Sequence, residues 1–103
     1  MRFAPEIYTD QVTESRNFYC NNLNFKVKQE TDGFIVIEHA ENRAYQLLFC
    51  QPNSPFINKI FHPKFNGEGI IFQMEVDNIE QEYQRIKKLK KSIKKCFLII
   101  VFK

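Results

Sequence analysis

From Thr9 to Val27 the chain reads TDQVTESRNFYCNNLNFKV, and no other stretch constrains the fold so tightly. Val12, Ser15, Phe18 or Tyr19, and Leu23 recur at helical spacing, so one side of an amphipathic helix must pack on a sheet. Asp10 or Thr13 can cap that helix, and Glu14 is well placed against its N-terminal dipole. Asn22 and Asn24 end it, since asparagine tolerates the left-handed backbone of a helix C-terminus. Phe25 to Glu30 (FKVKQE) then alternates apolar and polar residues, so the helix leads directly into a strand.

The flanking segments extend this unit in both directions. Before the helix, Phe3 to Thr9 reads as a strand with Phe3, Pro5 and Ile7 on one face and Ala4, Glu6 and Tyr8 on the other. Pro5 has no N–H for a ladder, so that strand should sit at an edge or pair late. After Glu30, Thr31-Asp32-Gly33 is a turn, Phe34 to His39 a strand, Ala40 to Arg43 a second turn and Ala44 to Cys50 a strand. The first fifty residues therefore have the order strand, helix, strand, strand, strand.

Gln51 to Gly69 is a long connection containing Pro52, Pro55 and Pro63, and loops of this length commonly carry function. Phe56, Ile57, Ile60, Phe61 and Phe65 within it need cover, either as a flap over an apolar pocket or as an ordinary packed connection. Gly67-Glu68-Gly69 lacks the third glycine and the following Lys-Ser/Thr of a phosphate loop. Ile70 to Val76 is a fifth strand, with Gln73 and Glu75 on the face opposite Phe72 and Met74. Asp77 and Glu80 have capping-box spacing ahead of a second helix through Ile79, Tyr83 and Ile86. Cys96 to Phe102 is apolar enough for a buried strand.

Bulk properties narrow the class. A chain of 103 residues with 44% hydrophobic residues and eleven Phe suits one compact domain. No run approaches the roughly 18–20 apolar residues of a membrane span, and the N-terminus lacks a signal-peptide core, so a cytoplasmic location is expected. Cys20, Cys50 and Cys96 have no metal-knuckle or disulfide spacing and read as small buried hydrophobes. Residues 85–103 hold eight of the fifteen Lys and Arg and no acid, leaving seven basic against twelve acidic groups in the rest. That segment, Arg85 to Lys95, has no interleaved aromatic residues. It reads as a solvated helix face rather than a nucleic-acid site.

The two halves echo one another: Glu6, Tyr8, Asp10 and Val12 align with Gln73, Glu75, Asp77 and Ile79, and Tyr19 with Ile86. The pattern of Ser15, Phe18, Tyr19, Leu23 and Phe25, with Gly67, Gly69, Ile70, Val76, Asp77 and Ile79, resembles the vicinal oxygen chelate superfamily over roughly residues 3–89. That group includes glyoxalase I, bleomycin-resistance and fosfomycin-resistance proteins and extradiol dioxygenases. The resemblance implies an α+β fold: a complete βαβββ module in residues 1–50, a long loop over 51–69 and a second module over 70–103. Here the second module is incomplete, with βα plus one short strand where three are expected, and residues from Lys90 onward do not resemble the family. The expectation is a C-terminus truncated or altered, as by a shifted reading frame, with unpaired strand edges that favour a homodimer, strand-exchanged or not.

For the site, the resemblance implies metal ligands from the first and fourth strands and the matching second-module pair. These places fall at Ala4, near Leu47 and at Ile71, none of which binds metal. A shift of two residues keeps the same face and brings Glu6 and Gln73 into place with Gln46 close by, a weak set of one carboxylate and two amides. The leading expectation is thus a binder of a small, partly aromatic organic molecule, with no cofactor. Glu6, Tyr8, Gln46, Gln73 and Glu75 would line the pocket, and Phe56, Phe61 and Phe65 would wall it. The alternative is a metal-dependent lyase or dioxygenase. His39 and His62 stand alone in sequence and read as surface or hydrogen-bonded residues.

Overall fold

In the computed structural model, which describes residues 1, 3–52, 55, 58–64, 72–89 and 100–102, the helix of the opening stretch is α1, Val12–Asn22. Its buried side is Val12, Ser15, Phe18 and Tyr19, with Leu23 just beyond its end, as the spacing predicts. Tyr19 is only 1% exposed and is enclosed by the rings of Phe18, Phe25 and Phe49 at 5.7, 5.5 and 5.5 Å. Asn24 has φ 63°, the left-handed conformation for which asparagine substitutes for glycine.

The N-terminus of α1 differs from expectation. Gln11 is the N-cap residue and makes no capping hydrogen bond through its side chain. Its N–H donates instead to Thr9 Oγ1 at 3.0 Å, and the Asp10 carboxylate accepts from Lys64 Nζ at 3.1 Å. Neither Asp10 nor Thr13 is the cap, because the chain turns one residue later than the propensity signal and Asp10 has a distant partner.

Four strands follow the predicted order: β1 Glu6–Tyr8 and β4 Gln46–Cys50 are shorter than expected, β2 Phe25–Thr31 is one residue longer and β3 Phe34–His39 has the expected bounds, arranged β1-β4-β3-β2. β1 is parallel to β4, and β2–β3–β4 are antiparallel neighbours. Pro5 explains why β1 starts late and lies at an edge: it contributes a carbonyl, accepting from Leu48 N at 3.0 Å, but no donor. The turn between β2 and β3 needs Gly33, whose φ is 75° and whose missing Cβ would sit 3.0 Å from Gln51 Oε1. Lys28 is the extra residue of a bulge between Val27 and Gln29.

Alternation assigns the two faces. Phe49 touches Tyr19, so Ile7, Ile35, Ile37 and Leu47, in register beside it, share the α1 side. The opposite face carries Glu6 and Tyr8 from β1, Gln46, Leu48 and Cys50 from β4, and Phe34, Val36 and Glu38 from β3. Every residue of β4 is buried, as a central strand enclosed on both faces requires.

The chain divides into two compact units, Met1–Phe65 and Asn66–Lys103. In the second, β5 (Phe72–Met74) pairs in parallel with β6 (Ile100–Phe102), and α2 (Ile79–Ile86) lies between them in sequence. The pairing repeats that of β1 with β4: each module's first strand is joined in parallel to a later one. The cap of α2 is Asn78, whose side chain accepts from Gln81 N at 3.0 Å; Asp77 stands one residue too early. Ile86 is buried, whereas Ile79 and Tyr83 are exposed. The expected strand residues Ile70, Ile71 and Cys96 to Ile99 lie outside the described residues, as do Phe56, Ile57, Phe65, Gly67, Gly69 and most of the lysine run.

Candidate functional site

Two residues apart on β1, Glu6 and Tyr8 project from the face that α1 leaves uncovered. The Tyr8 hydroxyl donates to Glu6 Oε2 at 3.2 Å. Tyr8 is 9% exposed. Burial, and next the neighbouring Glu6 carboxylate, push its phenol up to about 12. Across the parallel ladder sits Cys50, whose thiol is likewise pushed up by burial and by Glu6. It behaves as the small buried hydrophobe that its sequence position predicts, and Cys20 is half-buried.

The long connection returns to this face. Asn58 Oδ1 accepts from Ile60 N at 3.0 Å and so starts a single 3-10 turn, Lys59–Phe61. The turn brings the Phe61 ring nearly parallel to Tyr8, at 16° with centroids 6.5 Å apart. Phe61 nevertheless stays 51% exposed. Of the expected pocket residues, Glu6, Tyr8 and Phe61 are therefore in one place.

Gln46 lies on the same face, toward the start of β4, and is 8% exposed. Its Nε2 donates to the Arg43 carbonyl at 3.1 Å, closing the turn before β4. That bond fixes the amide orientation and leaves Oε1 buried with no donor among the described residues, an arrangement costing about 1–3 kcal/mol. Opposite Gln46 in the ladder is Glu38, buried, with Lys26 Nζ and Arg43 Nε at 3.9 and 4.0 Å. Gln73 and Glu75 are exposed residues of the second unit, on and just after β5. Phe56 and Phe65 lie outside the described residues.

A groove of about 540 Å³ opens where β1 and β4 end, lined by Asp10, Gln51, Pro52, His62, Pro63 and Lys64. Parallel pairing puts the ends of both strands together: Thr9 N donates to Cys50 O at 2.9 Å, and Gln51 N to Gly33 O at 2.8 Å. Asp10 and Lys64 face each other across it as the ion pair already noted, their side chains 54% and 55% exposed. Sequence reasoning missed this groove. Asp10 carries a helix-cap signal, and nothing near Asp10 in the chain points to a lysine fifty-four residues away.

A metal fits poorly. Glu6 already accepts from Tyr8, Gln46 offers only a neutral amide Oε1 with its Nε2 held by the Arg43 carbonyl, and Ala4 and Leu47 offer no ligand atom. Among the described residues there is no cluster of three or more His, Cys, Asp or Glu suited to a metal ion. Nor, among them, is any helix long and apolar enough to cross a membrane.

A four-stranded mixed sheet with a helix on one face and a begun repeat defines an α+β protein of the glyoxalase type. The chain belongs to the glyoxalase/bleomycin resistance protein/dioxygenase superfamily, whose profile matches residues 3–95. Among solved structures it is similar to an integron cassette protein from the mobile metagenome of V. cholerae, at 15% identity and TM-score 0.58 over 87% of this chain and 67% of that one. It is also similar to a lactoylglutathione lyase from Agrobacterium tumefaciens, at 16% identity and TM-score 0.56 over 87% and 70%. A bleomycin resistance determinant encoded on transposon Tn5 aligns at 13% identity and TM-score 0.49 over 86% of this chain and 64% of its own. The chain thus spans about two-thirds of the length of these structures. No curated protein matches it.

Proposed function

We propose that the chain is a small-molecule-binding protein of the glyoxalase/bleomycin-resistance type, taking a small, partly aromatic organic compound beside Tyr8 and Phe61, on the side of β1 opposite α1. The observation that carries this reading is the Tyr8–Phe61 pair: a buried, hydrogen-bonded ring beside a half-exposed one, each within a few residues in sequence of the groove-lining Asp10, His62 and Lys64. Aromatic rings offset in this way favour a flat ligand by stacking as well as by area. Binding then needs no metal, which agrees with the poor donor set at Glu6 and Gln46.

A screen of aromatic fragments by ligand-observed NMR tests it. Binders are expected, and Phe61→Ala should weaken them about tenfold, with the fold intact because the ring is half-exposed. A screen without binders would refute the reading. So would stoichiometric nickel, zinc, manganese or iron in the purified protein, which would favour a metal-dependent lyase or dioxygenase.

Self-association as a homodimer belongs to the same proposal. Among the described residues the second unit pairs two strands, and a two-stranded sheet is marginal alone; this supports completion of the second module's sheet by a second copy, with or without strand exchange. Light scattering that gives the monomer mass at all concentrations would count against it.

A further inference from the structure

The groove beyond β1 and β4 is lined by opposite charges, and this selects a class of ligand. We infer that it holds the head of a zwitterion, Asp10 taking an ammonium and Lys64 a carboxylate, with the aromatic body of the same ligand against Phe61. The inference rests on the binding reading above for the aromatic body and adds the polar end. The two parts adjoin in the chain, since Phe61 is followed by His62 and Lys64, and Tyr8 by Asp10 two residues on.

The selection follows from charge pairing. In the free protein Asp10 and Lys64 satisfy each other at 3.1 Å, with both side chains about half exposed. An exposed pair of this kind contributes little and is readily exchanged. A zwitterion entering between them replaces both partners at once. An amine alone leaves Lys64 without its carboxylate, and an acid alone leaves Asp10 without its ammonium. Preference for the zwitterion therefore comes from what the singly charged ligands strand as well as from what the zwitterion gains. Gln51 and His62 add polar groups to the same lining, and Pro52 and Pro63 stiffen its walls.

Three probes separate the cases in titrations of the full chain: L-phenylalanine, phenethylamine and 3-phenylpropionate. We expect L-phenylalanine to bind up to about fivefold more tightly than either of the others, the scale that an exposed pair supports, and the margin to shrink in high salt. Asp10→Asn should let 3-phenylpropionate bind as well as L-phenylalanine, and Lys64→Met should do the same for phenethylamine. Both positions are exposed, so circular dichroism should show an unchanged fold. Equal affinities for the three probes, with sensitivity to Phe61→Ala, would overturn the zwitterion inference and leave the aromatic-binding reading standing. A singly charged probe binding best to the unaltered protein would overturn it too. Absence of binding by all three would overturn it, and the fragment screen would then decide the broader reading.

Discussion

Replacing Tyr19 with alanine should remove most of the first unit's stability, and the magnitude follows from its surroundings. The side chain is 1% exposed and its ring meets three others at 5.5–5.7 Å, two edge-on and one tilted. Truncating a buried aromatic residue costs about 3–5 kcal/mol in lost transfer energy and residual cavity. A domain of this size has about 5 kcal/mol in total, at the lower end of the usual range. Tyr19→Leu separates the two contributions: it refills much of the volume and forfeits the ring pairs, so about 2 kcal/mol is expected. Tyr45→Ala is the control, an exposed ring 6.4 Å from His39 whose loss should move stability by less than about 0.5 kcal/mol. Urea titrations followed by far-UV circular dichroism give all three values, with an unchanged slope required for the comparison. If Tyr19→Ala stays within about 1 kcal/mol of the unaltered chain, the helix is not held to the sheet by this ring and the core is wrongly placed.

Other perturbations test single features. Because Asn24 has φ 63°, Asn24→Gly should stabilise by a few tenths of a kcal/mol, whereas Asn24→Ala should cost about 1 kcal/mol; the same sign for both in thermal melts would exclude a left-handed residue there. Tyr8 should ionise near pH 12, seen as the phenolate absorbance that Tyr8→Phe removes. Its folded value is raised, so its contribution to stability is complete below the unfolded value of about 10 and is lost as pH climbs from there through 12. Glu6→Gln should lower it only in part, since burial is the larger cause. Asn78→Ala should cost α2 about 0.5–2 kcal/mol and Asp77→Ala almost nothing, read from hydrogen exchange along the helix; the reverse order would restore Asp77 as the cap.

What the sequence disclosed is what local physics decides. Helical spacing found the buried side of α1, the asparagine signal found the turn at Asn24, and alternation put Glu6 and Tyr8 on one face. Pro5 signalled a strand at an edge or paired late before any pairing was known. The family's residue pattern, spread from Ser15 to Ile79, was likewise legible. Strand and cap boundaries were less so: β1 begins at Glu6 because Pro5 cannot donate, and the α2 cap moved from Asp77 to Asn78 although both residues have a suitable side chain. Choosing between adjacent capping residues depends on backbone angles that composition does not encode. Ile60 and Phe61 were expected to need cover and are largely exposed.

Asp10 shows where such reading stops and why function tends to begin there. By local rules it is a good helix cap, and Thr9 and Gln11 could have left that role to it. Instead the Thr9 hydroxyl takes the nearby N–H, and the Asp10 carboxylate is released to a lysine supplied by the long connection. A short-range interaction has been given up for a long-range one in an exposed position, where stability gains little from the exchange. Local rules and tertiary structure usually agree in a folding sequence, so a departure that adds almost no stability points to another use for the residue. Tyr8 departs in the same sense, a buried hydroxyl kept beside a carboxylate where an apolar side chain would pack at lower cost. Both departures fall at the C-terminal end of β1, where the buried Gln11 Oε1 also has no donor among the described residues, which is why we assign ligand binding to that end of the sheet rather than to the Glu38–Gln46 end, where the other such oxygen, Gln46 Oε1, is sealed from solvent.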